Sequence, residues 1–231
     1  GAIQRYQTDK EHRFIQTSAA PSVEDPATPW RFNAEIQATS GTTAGTSSVQ
    51  NPTLTLPTAT ITPFPYDTSN IGWSLKQDFA NKPALDAAFS NGSYTFTMPT
   101  VTAPATTFNA TLGLTGDAYP NTPSLTNTSW SGGNLMINST QSFNFTWNSF
   151  TGALPGAFIN VDINGLPTQQ LAATATSYTL PANSLPPGQM ISFKLIFANA
   201  TSVDTTSVPG VTGLAGYGAD DRLTIQTLQP N

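Results

Sequence analysis

Trp30-Arg31-Phe32-Asn33-Ala34-Glu35-Ile36-Gln37-Ala38-Thr39 decides the fold. Trp30, Phe32, Ala34, Ile36 and Ala38 alternate strictly with polar residues. A period of two sends the two sets to opposite faces of an extended chain, so the segment reads as a half-buried strand. The same signature recurs at Tyr94/Phe96/Met98, Phe108/Ala110/Leu112/Leu114, Phe143/Phe145/Trp147, Ile159/Val161/Ile163 and Ile191/Phe193/Leu195/Phe197. Asn91-Gly92 and Asn164-Gly165 supply turn chemistry between such runs. Weaker strand signals lie at Leu54–Ile61, where Pro57 demands an edge or a bulge, at Ile71–Phe79, at Tyr178/Leu180 and at Leu223/Ile225. Asn81 as N-cap and Pro83 in the first turn predict one short helix near residues 82–89. Gly41–Ser48 reads as a Gly/Thr/Ser loop. The fold class expected is all-β, with two β-sandwich-like domains.

Punctuation by proline and charge suggests the domain organisation. Residues 1–29 read as an extended N-terminal arm, because Gln4–Gln16 shows no helical stripe and three prolines punctuate 21–29. Residues 30–116 form the first β domain, 117–124 a Pro-containing linker, and 125–231 a second sandwich. The arm is expected to lie along its own domain or along a neighbouring copy. In the second case Tyr6, Phe14 and Ile15 would be its self-association residues.

Charge is scarce. Asp, Glu, Lys and Arg make up 9% of the chain, against about 25% in an average soluble domain. Ser and Thr, about a quarter of the chain, take their place. Residues 1–35 hold nine of the 21 charges, and between Thr95 and Val203 there are only Asp117, Asp162 and Lys194. A net charge of −5 with eight Lys and Arg argues against nucleic acid, which needs cations to neutralise phosphates. No apolar run is long enough to span a bilayer as a helix. A weakly charged, hydroxyl-covered surface opposes association less than a strongly charged one. The Thr/Asn/Ser/Pro-rich, Lys/Glu-poor composition favours an extracellular or cell-surface location, and the absence of cysteine does not place the chain in the cytosol; any leader would already be removed or lie outside this sequence. Six Asn-x-Ser/Thr sequons, at Asn91, Asn109, Asn127, Asn138, Asn144 and Asn199, are close to what the Asn, Ser and Thr content gives by chance.

The second half carries a resemblance. Phe143-Asn144-Phe145-Thr146-Trp147 looks like the second strand of a fibronectin type III or immunoglobulin-like sandwich, and Ala157–Ile163 like the third. Ser184-Leu185-Pro186-Pro187-Gly188 is similar to the Leu-x-Pro-Gly turn before the sixth strand, although Ile191 stands where that family has Tyr. The stretch 175–188, the late strand 223–227 and residues 85–94 also resemble exported bacterial proteins with a C-terminal sandwich of this kind. The resemblance implies architecture; the same sandwich hosts adhesion, spacing and binding roles.

Catalytic chemistry has little to draw on. His12, the single histidine, would have to serve any Ser-His-Asp arrangement, and its charged surroundings read as ordinary surface. Asp78 and Asp86 flank the short helix and read as turn or capping residues. Asp220-Asp221, read as part of a Gly-rich loop, could contribute oxygen ligands to calcium, but no spaced acidic ladder accompanies them. No catalytic residue, metal site or cofactor is therefore expected. Trp30, Trp73 and Trp147 are assigned to cores, leaving Trp130, in Thr-Ser-Trp-Ser-Gly-Gly, as a platform for stacking on a sugar ring. The favoured role is a non-catalytic extracellular structural or adhesive protein, a filament or matrix subunit whose partners are copies of itself or other surface components. The competing role is a carbohydrate-binding module for polysaccharide.

Overall fold

The computed structural model describes residues 1–41, 46–68 and 71–229, so part of the loop expected at Gly41–Ser48 lies outside the described residues. The chain is all-β, with one short helix among the described residues. The first strands are β1 (Ile3–Ile15), β2 (Val23–Glu24), β3 (Trp30–Ala38), β4 (Thr53–Thr55), β5 (Ile61–Pro63), β6 (Tyr66–Asp67) and β7 (Gly72–Phe79). After helix α1 (Lys82–Ala88) come β8 (Gly92–Pro99), β9 (Thr107–Leu114), β10 (Trp130–Ser131), β11 (Asn134–Ile137) and β12 (Phe143–Thr146). The last strands are β13 (Phe158–Ile163), β14 (Gln169–Ala172), β15 (Ser177–Leu180), β16 (Met190–Asp204) and β17 (Gly213–Thr227).

The chain divides into two compact units, and neither is continuous in sequence. Unit 1 comprises residues 1–11, 30–118 and 200–217; unit 2 comprises 12–29, 119–199 and 218–231. One division falls between residues 118 and 119, and β1, β16 and β17 contribute residues to both units.

In unit 1, β1 pairs with β3, β3 with β7 and β7 with β6, while β5-β4-β8-β9 forms a separate four-stranded sheet. The alternation in β3 holds, with Phe32, Ala34, Ile36 and Ala38 all buried. Rings join the two sheets: Phe32 lies 5.5 Å from Tyr94 and Tyr6 lies 5.7 Å from Phe96. Phe89, at the end of α1, stacks on Phe32 at 3.8 Å. Asn81 caps the helix as expected, its side chain accepting from the Ala84 N–H at 2.9 Å. Pro57 lies in the turn that separates β4 from β5, two short strands in place of the single one expected.

Unit 2 is the second sandwich. Its larger sheet runs β14-β13-β16-β17-β1, with β2 on β1 and β11 parallel to β17. Opposite lies β12 paired with β15. Phe145 stacks on Phe193 at 4.8 Å and Phe150 on Phe197 at 4.9 Å, which closes the core between the sheets. Trp147, in the stretch that carries the fibronectin-like resemblance, and Ile191, which stands where that family has Tyr, are both buried. The Trp147 indole donates to the Ala175 carbonyl at 2.9 Å.

The arm is corrected. Residues 3–15 are a strand within the chain's own sheet, and 23–24 fold back on it in register Phe14↔Glu24. Its core-facing row is Tyr6, Thr8, Lys10, Phe14 and Gln16, all buried. Three of those five are polar, so no hydrophobic alternation showed. β17 is likewise much longer than the Leu223/Ile225 signal, because its first half uses Gly and Ala at buried positions.

One close approach depends on such a residue. A Cβ at Gly213 would collide with the ring of Tyr6, which fills the space above it. Gly213→Ala should therefore cost about 1–3 kcal/mol by overpacking, read as a lower denaturant midpoint with an unchanged slope.

Candidate binding surfaces

Unit 2 carries a groove of ≈ 700 Å³ on the outward face of its larger sheet. Odd-numbered residues of β13 and β16 (Ile159, Val161, Ile163; Ile191, Phe193, Leu195, Phe197) enter the core. Even-numbered residues therefore face outward and line the groove: Asp162, Asn164, Ser192 and Lys194. Asp162 and Lys194 stand opposite each other in register, with Nζ 3.9 Å from Oδ2. Thr168 Oγ1 donates to Asp162 Oδ1 at 2.5 Å. Arg222 of β17 closes one side. Two of the three charges between Thr95 and Val203 thus meet here, with the hydroxyl and amide donors and acceptors that suit a hydroxylated ligand.

Beside Arg222 lies a compact charge cluster. Arg222 Nη2 donates to Asp25 Oδ2, and its Nε stands 3.7 Å from Asp220 Oδ2. Arg13 Nε approaches the same Asp220 oxygen at 3.8 Å. Burial raises the Asp25 carboxyl, but the Ala27 and Thr28 N–H groups and Arg222 outweigh it and hold it well below the usual carboxylate range. Asp220 and Asp221, expected in a loop, are instead adjacent in β17 and buried. Neighbours in a strand point to opposite faces, so the two carboxylates cannot converge on one calcium ion. Among the described residues no three His, Cys, Asp or Glu side chains gather as metal ligands.

The other residues singled out by sequence are committed elsewhere. Trp130 is half-buried, packs against the core of unit 2 and donates its indole N–H to the Asn127 carbonyl at 2.7 Å. Tyr6 is wholly buried and donates to Asp204 Oδ2 at 3.0 Å; burial and then Asp204 push its phenol up. Phe14 is buried and Ile15 pairs with Val23, so the proposed self-association row is occupied by the chain itself. His12 Nε2 lies 2.6 Å from Glu24 Oε2, with its ring 4.3 Å from Phe14. Asp78 grips Arg31 at 2.6 and 3.0 Å across β3 and β7, and Asp86 binds Lys10 and Lys82; neither caps the helix. Sequence reasoning missed Lys10, and it placed Asp221 in a loop where the structure has a buried strand. An isolated lysine in a polar stretch gives no periodic signal.

No family model matches the chain, and no curated protein matches it. Among solved structures, a Ca2+-stabilised adhesin by which an Antarctic bacterium binds ice aligns at 14% identity over 98% of this chain, with a TM-score of 0.29. The chain spans 50% of that adhesin chain. A two-domain fibronectin type III segment of chicken tenascin aligns at 11% identity over 90% of this chain and 98% of its own, also with a TM-score of 0.29. Likenesses this distant bear on neither ligand nor activity.

Asp221 makes stability depend on pH. Both its oxygens are buried. Burial and then the neighbouring Asp220 push its carboxyl from 3.8 up to about 8, with Leu125 and Arg222 offsetting only part. Between those values the folded chain holds a proton that the unfolded chain has lost. Asp221's contribution is therefore full below about pH 4 and is lost as the pH rises through about 8. Asp221→Asn should remove the dependence. Its stability advantage over the parent should grow by up to about 1.4 kcal/mol per pH unit across that window, measured by denaturant titration at several pH values.

Proposed function

We propose that the protein is a non-catalytic extracellular structural or adhesive protein that acts through uncharged, hydroxyl-bearing sheet surfaces. The observation that carries this reading is the outward face of the four-stranded sheet in unit 1. Across β4, β8 and β9 its residues fall in ranks, Thr53↔Thr97↔Asn109 and Thr55↔Thr95↔Thr111. Hydrogen bonds hold the ranks, at 2.9 Å between the Thr95 and Thr111 hydroxyls and 3.0 Å from Thr97 to Asn109. No charged residue occurs in β4, β5, β8 or β9. Among the described residues β9 has only β8 as a strand neighbour, so it is an outer strand without the lysines that usually blunt such edges. One of its carbonyls, that of Gly113, accepts from Thr201 Oγ1.

The partner such an edge fits best is a second copy of the chain, added by backbone pairing. Sedimentation velocity over a range of concentrations should then show reversible association. Replacing Asn109 and Thr111 by Lys should abolish it while leaving the circular dichroism spectrum unchanged. If the parent stays monomeric throughout and is also not retained on immobilised surface polymers, the reading is wrong.

The groove of unit 2 supports a second reading, carbohydrate binding, at a place other than Trp130. Lys194 and Thr168 would meet a ligand carboxylate and hydroxyls, respectively. Loss of one such charged contact is worth about tenfold in affinity, so Lys194→Ala should weaken retention on a uronate-containing polysaccharide by that factor. Trp130→Phe should leave it unchanged. Equal retention of the parent and Lys194→Ala would remove the groove as the site.

A further inference from the structure

Lys10 points its amine into a site built for more than an ion pair. Its side chain is fully shielded from solvent, and Nζ donates to Asp86 Oδ1 at 2.8 Å and to Asn91 Oδ1 at 3.1 Å. The same Asn91 oxygen accepts from the Tyr217 hydroxyl at 2.7 Å, and Asn91 Nδ2 donates to Asp117 Oδ1 at 2.8 Å. Lys82 Nζ bridges the two carboxylates, 2.5 Å from Asp86 Oδ2 and 2.7 Å from Asp117 Oδ2. All these residues belong to unit 1. We propose that Lys10 and Asn91 become joined by an intrachain isopeptide bond, formed by the protein itself with release of ammonia.

Each part of that reaction has a named group. Asp86 Oδ1 takes one proton from the Lys10 ammonium. The freed pair attacks Asn91 Cγ, so an Nζ–Cγ bond forms and the carbonyl pair moves onto Oδ1, where the Tyr217 hydroxyl donates to it. A second proton leaves Nζ, the pair on Oδ1 returns, and the Cγ–Nδ2 bond breaks. Nδ2 departs as ammonia, carrying one of the two protons, with Asp117 beside it; the other proton passes to solvent. One amide replaces another, so no oxidant or activated co-reactant is needed.

The surroundings favour the step. Burial raises the Asp86 carboxyl, but hydrogen bonds from Lys10 and Lys82 outweigh it, leaving an ionised base beside the amine. The amine and carboxamide are held within hydrogen-bond reach, the condition under which intramolecular reaction gains most from proximity. The carboxamide is held too. Phe89 stacks on Phe32 just before Asn91, and Tyr94 just after it donates to the Ser90 carbonyl at 2.6 Å. The bond would tie β1 to the turn between α1 and β8. The inference rests on unit 1 alone and stands apart from the proposed role.

Intact-mass measurement of the purified full chain tests it. The parent should be lighter than its sequence by one ammonia, and its protease digest should contain a branched peptide bearing Lys10 and Asn91. Lys10→Arg and Asp86→Asn should both show the full sequence mass and migrate more slowly on a denaturing gel. Asn91 precedes Gly92, whose backbone nitrogen offers another route to the same mass loss through a cyclic imide. An ammonia loss that persists in Lys10→Arg and disappears on mild alkaline treatment would be that imide and would overturn the proposal. A folded parent at full sequence mass would overturn it as well. Should Lys10→Arg fail to fold, the parent's peptide map decides alone.

Discussion

The structure turns on a strand whose buried face is half polar. β1 sets Thr8 and Lys10, and the residue that follows it, Gln16, among core residues, and an unpartnered donor there would cost about 1–3 kcal/mol, more for a charge. Each therefore dictates what stands opposite. Thr8 donates to the Asn33 carbonyl at 3.1 Å, which suits β3 as its neighbour. Lys10 requires Asp86 and Asn91, and so fixes the short helix and the turn after it. The Gln16 amide brackets Leu125, donating to its carbonyl and accepting from its N–H, both at 2.8 Å. Apolar packing tolerates sliding more readily than these pairings do, so the register of β1 is specified by its polar groups.

That constraint also explains which parts of the fold were legible in sequence. β3, β8, β9, β13 and the middle of β16 bury alternating apolar side chains, and period two exposed them. The helix was legible from Asn81 and Pro83, whose roles are local. β1 and the first half of β17 were not, although both lie well inside the sheet. In β1 the aromatic core positions Tyr6 and Phe14 are separated by a hydroxyl and an amine, and a buried amide, Gln16, follows the strand. In β17 they are Gly213, Ala215 and Ala219, which leave room for neighbours such as Tyr6. Burial there is decided by partners distant in sequence, and a periodic reading has no access to them. The discontinuous units follow from the same omission, since strands absent from the reading could not contribute to both.

The candidate sites divide along the same line. Trp130 was chosen because an aromatic in a Gly/Ser loop reads as exposed. Its indole N–H and its neighbour Leu135 draw it onto the core instead. The groove that does face outward is made of small polar residues at even positions of β13 and β16, a pattern common to any solvent face. Only the in-register placement of Asp162 against Lys194, in a stretch nearly empty of charge, distinguishes it.

Scarcity of charge thus has two consequences. On the four-stranded sheet of unit 1 it leaves hydroxyls and amides as the only polar groups, and an edge with no charge to repel another strand. Inside unit 1 it has the opposite effect, because the few charges present are drawn together. Lys10, Lys82, Asp86 and Asp117 form one connected set around Asn91. Two ammonium groups there face two carboxylates, so the set is formally balanced before any bond forms and carries one net negative charge after Lys10 is consumed. Forming the amide from Lys10 would remove a buried cation, with its cost of desolvation. It would leave Lys82 to neutralise the two carboxylates from the half-exposed rim.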